Sequence, residues 1–157
     1  MDPEAEKKRA LSRAYRLLAI RARSGEEMRL ALRRVGVEDA VIEEAIAHLE
    51  SQSLIDDRAF AADWARSRMQ SRPRGKRLIE HELRAKGIPD EDAATATSGI
   101  DDEATALTMA TRRAELMGGL DRQTFLRRLE NYLLTRGFSR ETVSRTVSAV
   151  LAGRADS

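Results

Sequence analysis

At 157 residues the chain suits one domain or a few small stacked units. Apolar residues make up 41%, charged residues 34% and aromatics only 4%, a mixture that allows a core and favours helix over strand. The lack of cysteine excludes disulfides, thiolate zinc sites and cysteine nucleophiles, and no apolar run approaches the roughly 20 residues of a membrane span.

The polar start, MDPEAEKKRALSR, does not read as a signal peptide, so a soluble cytoplasmic protein is the expectation. The formal net charge is +2, with 24 Arg against 4 Lys among the 28 basic residues. Arginine makes flat bidentate contacts to phosphate and carboxylate, so an Arg-rich surface favours a polyanion or an acidic protein face. Charged helix surfaces paired internally would give the same composition.

Taken in chain order, the spacing predicts nine helices. The first three run near residues 4–22, 25–35 and 38–51, and Ser24 with Glu27 forms a capping box for the second. The next three run near 56–70, 75–86 and 89–98. Asp56 and Asp57 suit the first N-terminus and Pro89 a first helical position. The last three run near 101–117, 121–136 and 139–152. Asp101, Asp102 and Glu103 open them, Gly118-Gly119 is a break, and Asp121 and Ser139 are plausible caps.

These helices repeat as triplets. Gly36, Gly87 and Gly137 each follow a leucine by four residues (Leu32, Leu83, Leu133) and precede an apolar residue (Val37, Ile88, Phe138). A helix that ends with glycine in the left-handed conformation lets the next residue pack back on the one at C3. Eight residues before each glycine stand Met28, Ile79 and Leu129. Six after stand Ile42, Ala93 and Val143; ten after, Ile46, Thr97 and Val147; thirteen after, Leu49, Ile100 and Val150. Steps of four and three trace one helix face. Ala93 and Thr97 are weak entries and suggest a poorly packed third helix in the middle copy. The expected fold is all-α: three tandem three-helix repeats, residues 1–51, 52–100 and 101–152, with 153–157 a tail. Such units bury little alone, so stacking into an elongated, curved array is expected.

The sharpest chemical feature is residues 66–77, RSRMQSRPRGKR. Arg66, Arg68, Arg72, Arg74, Lys76 and Arg77 are basic and no residue in the run is acidic. The run spans a helix end, a Pro-Gly break and a helix start near Gly75, whose backbone donors add to the phosphate-binding reading. A solvated loop is the plainer alternative. Arg21, Arg72 and Arg122 each lie fifteen residues before a repeat glycine and would form a spaced row, with Arg23 and Arg74 reinforcing it. With so many arginines, such a triple also arises by chance. Trp64, near Phe60, is expected in the core rather than stacked on a base, as are Tyr15 and Tyr132. His48 and His81 lack convincing partners, and the pairs Asp56-Asp57 and Asp101-Asp102 sit where helix N-termini want negative charge. No catalytic constellation, cofactor or metal site is expected.

Leu54 to Arg68, LIDDRAFAADWARSR, followed by Arg72 to Ile88, RPRGKRLIEHELRAKGI, closely resembles the RecX regulators of the RecA recombinase. The shared elements are Leu54-Ile55-Asp56-Asp57, Phe60-Ala61, Gly75 with Ile79, Glu82-Leu83 and Lys86-Gly87-Ile88. The first copy is also typical, although Glu27-Met28 stands where a glutamate-leucine pair is more usual, and the third copy is looser. The resemblance implies three tandem three-helix repeats. It also implies a non-enzymatic protein, expected as a monomer, that binds RecA and its filament on single-stranded DNA, restrains filament growth and inhibits ATP hydrolysis and strand exchange. Direct DNA binding is implied too. A stand-alone helix-turn-helix-like DNA-binding regulator is the rival reading. Arg21, Arg23, Arg66, Arg68, Arg72, Arg74, Lys76, Arg77 and Arg122 are the expected contacts to DNA or RecA.

Overall fold

The computed structural model describes residues 2–155. Those residues hold nine α-helices and no strand: α1 (Pro3–Ile20), α2 (Gly25–Arg34), α3 (Asp39–Ser51), α4 (Asp57–Ser71), α5 (Lys76–Ala85), α6 (Asp90–Thr97), α7 (Asp102–Glu115), α8 (Arg122–Thr135) and α9 (Arg140–Ala155). They form three consecutive triplets, and every boundary lies within one turn of the sequence expectation. The last helix runs through Ala155 into the expected tail. Residues 156 and 157 of that tail lie outside the described residues.

Local chemistry fixes the helix starts. Ser24 Oγ accepts from the Glu27 amide at 3.1 Å while the Ser24 amide donates to Glu27 Oε1 at 3.2 Å, closing the capping box on α2. Asp56 accepts from the Ala59 amide, Asp101 from Ala104 and Asp121 from Thr124, at 3.1, 3.2 and 3.2 Å. Ser139 Oγ accepts from the Thr142 amide at 3.1 Å. Each such cap stabilises its helix by about 1 kcal/mol.

The three glycine helix ends are built alike. Val37, Ile88 and Phe138 donate their amides to the carbonyls of Leu32, Leu83 and Leu133, and Gly36, Gly87 and Gly137 donate to Arg33, Arg84 and Leu134. The glycines have φ of 85°, 76° and 89°. These six-to-one and five-to-two bonds define the Schellman motif, and the left-handed φ is why glycine stands there. The leucines below them are fully buried, as are Met28, Ile79 and Leu129 one turn earlier.

Two compact units emerge, Met1–Trp64 with Glu82–Ala96, and Ala65–His81 with Thr97–Ser157. In the first, α1, α2 and α3 enclose Ala10, Ala14, Met28, Leu32, Ile42, Ala45, Ile46 and Leu49. In the second, α7, α8 and α9 enclose Ala106, Met109, Phe125, Leu129, Leu133, Val143 and Val147. Burying a large aliphatic or aromatic side chain in this way contributes about 1.5–3 kcal/mol. The partition divides the middle triplet: Phe60, Ala61, Leu83 and Ala93 fall in the first unit, Ala65, Ile79 and Thr97 in the second.

The third helix of the middle triplet is packed tightly at its two weak positions, contrary to the expectation of a poorly packed helix. α6 is short, eight residues, yet Ala93 and Thr97 are 1% and 0% exposed. Thr97 succeeds at a core position because its hydroxyl donates to Glu80 Oε1 at 2.7 Å, which satisfies the polar atom that burial strips of water.

Consecutive triplets are joined in the same way twice, once inside each compact unit. Ser24 and Gly75 both stand twelve residues before their triplet's helix-end glycine. Ser24 Oγ donates to the Lys86 carbonyl at 2.7 Å, and the Gly75 amide donates to the Arg136 carbonyl at 2.8 Å. Lys86 and Arg136 each directly precede the helix-end glycine of the following triplet. One residue on, the Gly25 amide donates to Asp57 Oδ1 at 2.9 Å and the Lys76 amide to Asp102 Oδ1 at 3.1 Å. The left-handed glycine then closes against the incoming helix. A Cβ on Gly87 would overlap the Glu26 side chain, and one on Gly137 would lie 2.5 Å from Leu78 Cβ.

Candidate nucleic-acid interface

The basic break at 72–77 is set by its sequence. Pro73 disfavours helix at the residue before it, so α4 stops at Ser71, where the Arg72 amide donates to the Arg68 carbonyl at 2.8 Å. Arg74 Nε bends back to the Arg72 carbonyl at 2.8 Å. Gly75 lies flat on the end of α8, with no room for a side chain: a Cβ there would meet the Gly137 carbonyl. α5 then starts at Lys76.

Two of the backbone donors near Gly75 are already taken: the Gly75 amide is bonded to the Arg136 carbonyl and the Lys76 amide to Asp102. Asp102 holds that position at a cost. Burial pushes its carboxyl above the ordinary range, with the charges of Asp101 and Glu103 adding to the rise, against the pull of the Lys76 amide and ammonium.

The side chains of the break are differently placed. Arg72 and Arg77 are exposed and have no side-chain hydrogen bond or ion pair among the described residues. Arg74 and Lys76 are half-buried. On the last turns of α4, Arg66 is exposed and Arg68 half-buried. Arg122 is exposed on the first turn of α8.

The proposed row of Arg21, Arg72 and Arg122 joins unlike positions. Arg21 and Arg72 directly follow the first helix of their triplets, whereas Arg122 is already inside α8. α8 starts a turn earlier than its counterparts, so a count back from Gly137 lands inside the helix. Arg21 is also spent internally. Its guanidinium grips Glu27 at 2.7 and 3.3 Å and donates to the Ala22 carbonyl. Burial would push Glu27 up, but Arg21, the Ser24 amide and Lys86 together hold its carboxyl below the usual value. Arg23 donates to the Leu17 carbonyl at 3.4 Å, near the end of α1.

The aromatics divide as well. Trp64 is half-buried, stacked on Phe60 at 6.1 Å, and its indole N–H donates to Glu82 at 3.1 Å. Tyr15 is not a core residue. It is 40% exposed and its hydroxyl donates to Gln52 at 2.9 Å. Its polar end gains a partner at the surface, which is where an amphipathic ring is stable. Tyr132 is half-buried, packed on the core of the second unit, with guanidiniums of Arg113 and Arg136 over its ring. Sequence reading passed over this cluster. The i, i+4 spacing of Tyr132 and Arg136 was the available signal; the approach of Arg113 from α7 had none.

Charge is uneven between the two units. The first carries 13 Lys and Arg against 17 Asp and Glu, a net −4; the second carries 15 against 9, a net +6. The basic break belongs to the second. His48 and His81 are both exposed. Among the described residues no group of three or more His, Asp or Glu is placed to hold a metal ion, and no helix is long and apolar enough to cross a membrane.

Residues 10–49 match the family description "RecX, first three-helix domain", and residues 56–96 match "RecX, second three-helix domain". A protein named regulatory protein RecX from Prosthecochloris aestuarii is 34% identical over 148 residues, covering 94% of this chain and 97% of its own. The chain belongs to the RecX family. Its relative of the same name from Amycolatopsis mediterranei is 36% identical over 141 residues, 88% of this chain and 81% of that one. The crystal structure of RecX from Lactobacillus salivarius shares the fold, with a TM-score of 0.84 at 23% identity, covering 94% of this chain and 97% of that one. The relatives are regulatory proteins by name, and the first two helical triplets here match RecX domains.

Proposed function

We propose that this RecX protein binds the RecA recombinase and its filament on single-stranded DNA, and that it inhibits filament growth, ATP hydrolysis and strand exchange. The observation that carries this reading is similarity to RecX regulators along nearly the full length of both chains. On this reading the protein is not an enzyme. It acts in the cytoplasm as a monomer, by occupying surface on its partner. The exposed Arg72 and Arg77 supply charge for acidic residues of RecA or DNA phosphates, with Arg66, Arg68, Arg74, Lys76 and Arg122 on the same basic unit. Arg21 and Arg23 contribute little, because their guanidiniums already serve internal acceptors.

The test is RecA's DNA-dependent ATPase with this protein titrated in at low salt. Inhibition that deepens with the protein-to-RecA ratio is expected. Unchanged hydrolysis at every ratio would sink the proposal, and tight binding to one DNA sequence without any effect on RecA would favour a stand-alone DNA-binding regulator instead.

A further inference from the structure

Arg113, on α7, and Arg136, just past the end of α8, lie with guanidinium carbons 4.8 and 5.1 Å from the centroid of the Tyr132 ring. Neither has an ion pair or a side-chain hydrogen bond among the described residues. Two like charges held on one ring repel each other, and contact with the ring offsets that only in part. Elsewhere in the molecule arginines find carboxylates: Arg21 with Glu27, Arg29 with Glu43, Arg145 with Glu103. Among the described residues the Tyr132 pair has no such carboxylate partner.

The pair also adjoins the basic break. The Arg136 carbonyl accepts the Gly75 amide at 2.8 Å, so the chain at Arg72–Arg77 passes directly over the end of the helix that carries Tyr132. A stacked guanidinium is desolvated on one face and keeps its N–H edge free for bidentate contact with phosphate oxygens. The aromatic ring adds a face on which a base stacks once a guanidinium swings onto a phosphate. The carboxylates of an acidic protein surface have no flat π-face to stack on that ring.

We propose that Arg113, Tyr132 and Arg136 form a phosphate-gripping subsite for nucleic acid, continuous with the basic break at 72–77. The inference rests on the reading of that break as a polyanion contact and adds a second, independent set of residues to it.

The experiment is fluorescence anisotropy of labelled oligothymidylate against the full chain over a range of salt. Losing two phosphate contacts lowers the slope of log affinity against log salt by about 1.4, at about 0.7 per contact for a single strand. Arg113→Gln/Arg136→Gln is expected to show that drop with its thermal melt intact, and Arg113→Lys/Arg136→Lys to keep the slope. Tyr132→Phe is expected to bind as the parent does and Tyr132→Leu several-fold more weakly. If the double glutamine variant fails to fold, Arg113→Gln alone is read against a slope change of about 0.7.

An unchanged slope in the folded variants overturns the subsite. If Arg72→Ala/Arg77→Ala weakens binding while the Tyr132 cluster variants do not, the break stands and the cluster falls. A parent protein that inhibits RecA without binding oligothymidylate also overturns the subsite and leaves the proposed function standing. Polyglutamate that competes as well as oligothymidylate of equal charge overturns the choice of nucleic acid.

Discussion

The same glycine does different work in different copies. Gly36, Gly87 and Gly137 share a left-handed φ, so alanine at any of them costs about 1–2 kcal/mol of backbone strain. Only Gly87 and Gly137 also lie against a neighbouring helix. Around a Cβ on Gly36 there is nothing within 4 Å. Overpacking adds about 1–3 kcal/mol. Chemical denaturation is therefore expected to rank Gly36→Ala as mild, near 1–2 kcal/mol, and Gly87→Ala and Gly137→Ala as severe, near 2–5 kcal/mol. Equal losses at all three would show that the close contacts carry no energy. Reading the three as equivalent was correct for helix termination and incomplete for packing, since the second role depends on a helix some sixty residues away in sequence.

Among the elements, the joints between triplets give the two members of each aspartate pair different roles. Asp56 and Asp101 cap their own helices. Asp57 and Asp102 instead accept the first amide of the preceding triplet's second helix. A carboxylate bonded to a helix N-terminal amide is a charge-assisted contact, and truncating it costs about 1.5–3 kcal/mol. Asp57→Ala is expected to destabilise by that amount and to speed hydrogen exchange at the Gly25 amide, and Asp102→Ala to do the same at Lys76. Asp56→Ala costs about 1 kcal/mol and leaves the Gly25 amide protected. If Asp56→Ala and Asp57→Ala behave alike, both residues are simple helix caps. The third triplet departs from the pattern. Twelve residues before Gly137 stands Phe125, fully buried in the core, where the earlier triplets place Ser24 and Gly75 at a helix start.

At the scale of the whole molecule, the net charge of +2 conceals a basic and an acidic unit. Polyanion binding scales with local charge. In a nuclear magnetic resonance titration with oligothymidylate, amide shifts are expected to concentrate in residues 65–81 and 97–155. Residues 2–64 and 82–96 are expected to move little. Shifts spread evenly along the chain would contradict a basic unit acting as the contact surface.

Helix positions, the triplet period and the three glycine ends were legible in the sequence because each depends on residues within a few turns of one another. Apolar spacing, caps and a left-handed glycine are local signals. The excess of cations at 66–77 was legible for the same reason. The fate of each charge was not. Arg21 and Arg72 share a register, yet one is bound to Glu27 and the other is exposed with no side-chain partner among the described residues. Which carboxylate joins two triplets, which amide is already bonded, and which arginines meet on Tyr132 were decided by contacts between helices far apart in the chain. Hydrogen bonds act over about 3 Å, so only the packed structure determines which partners come within reach.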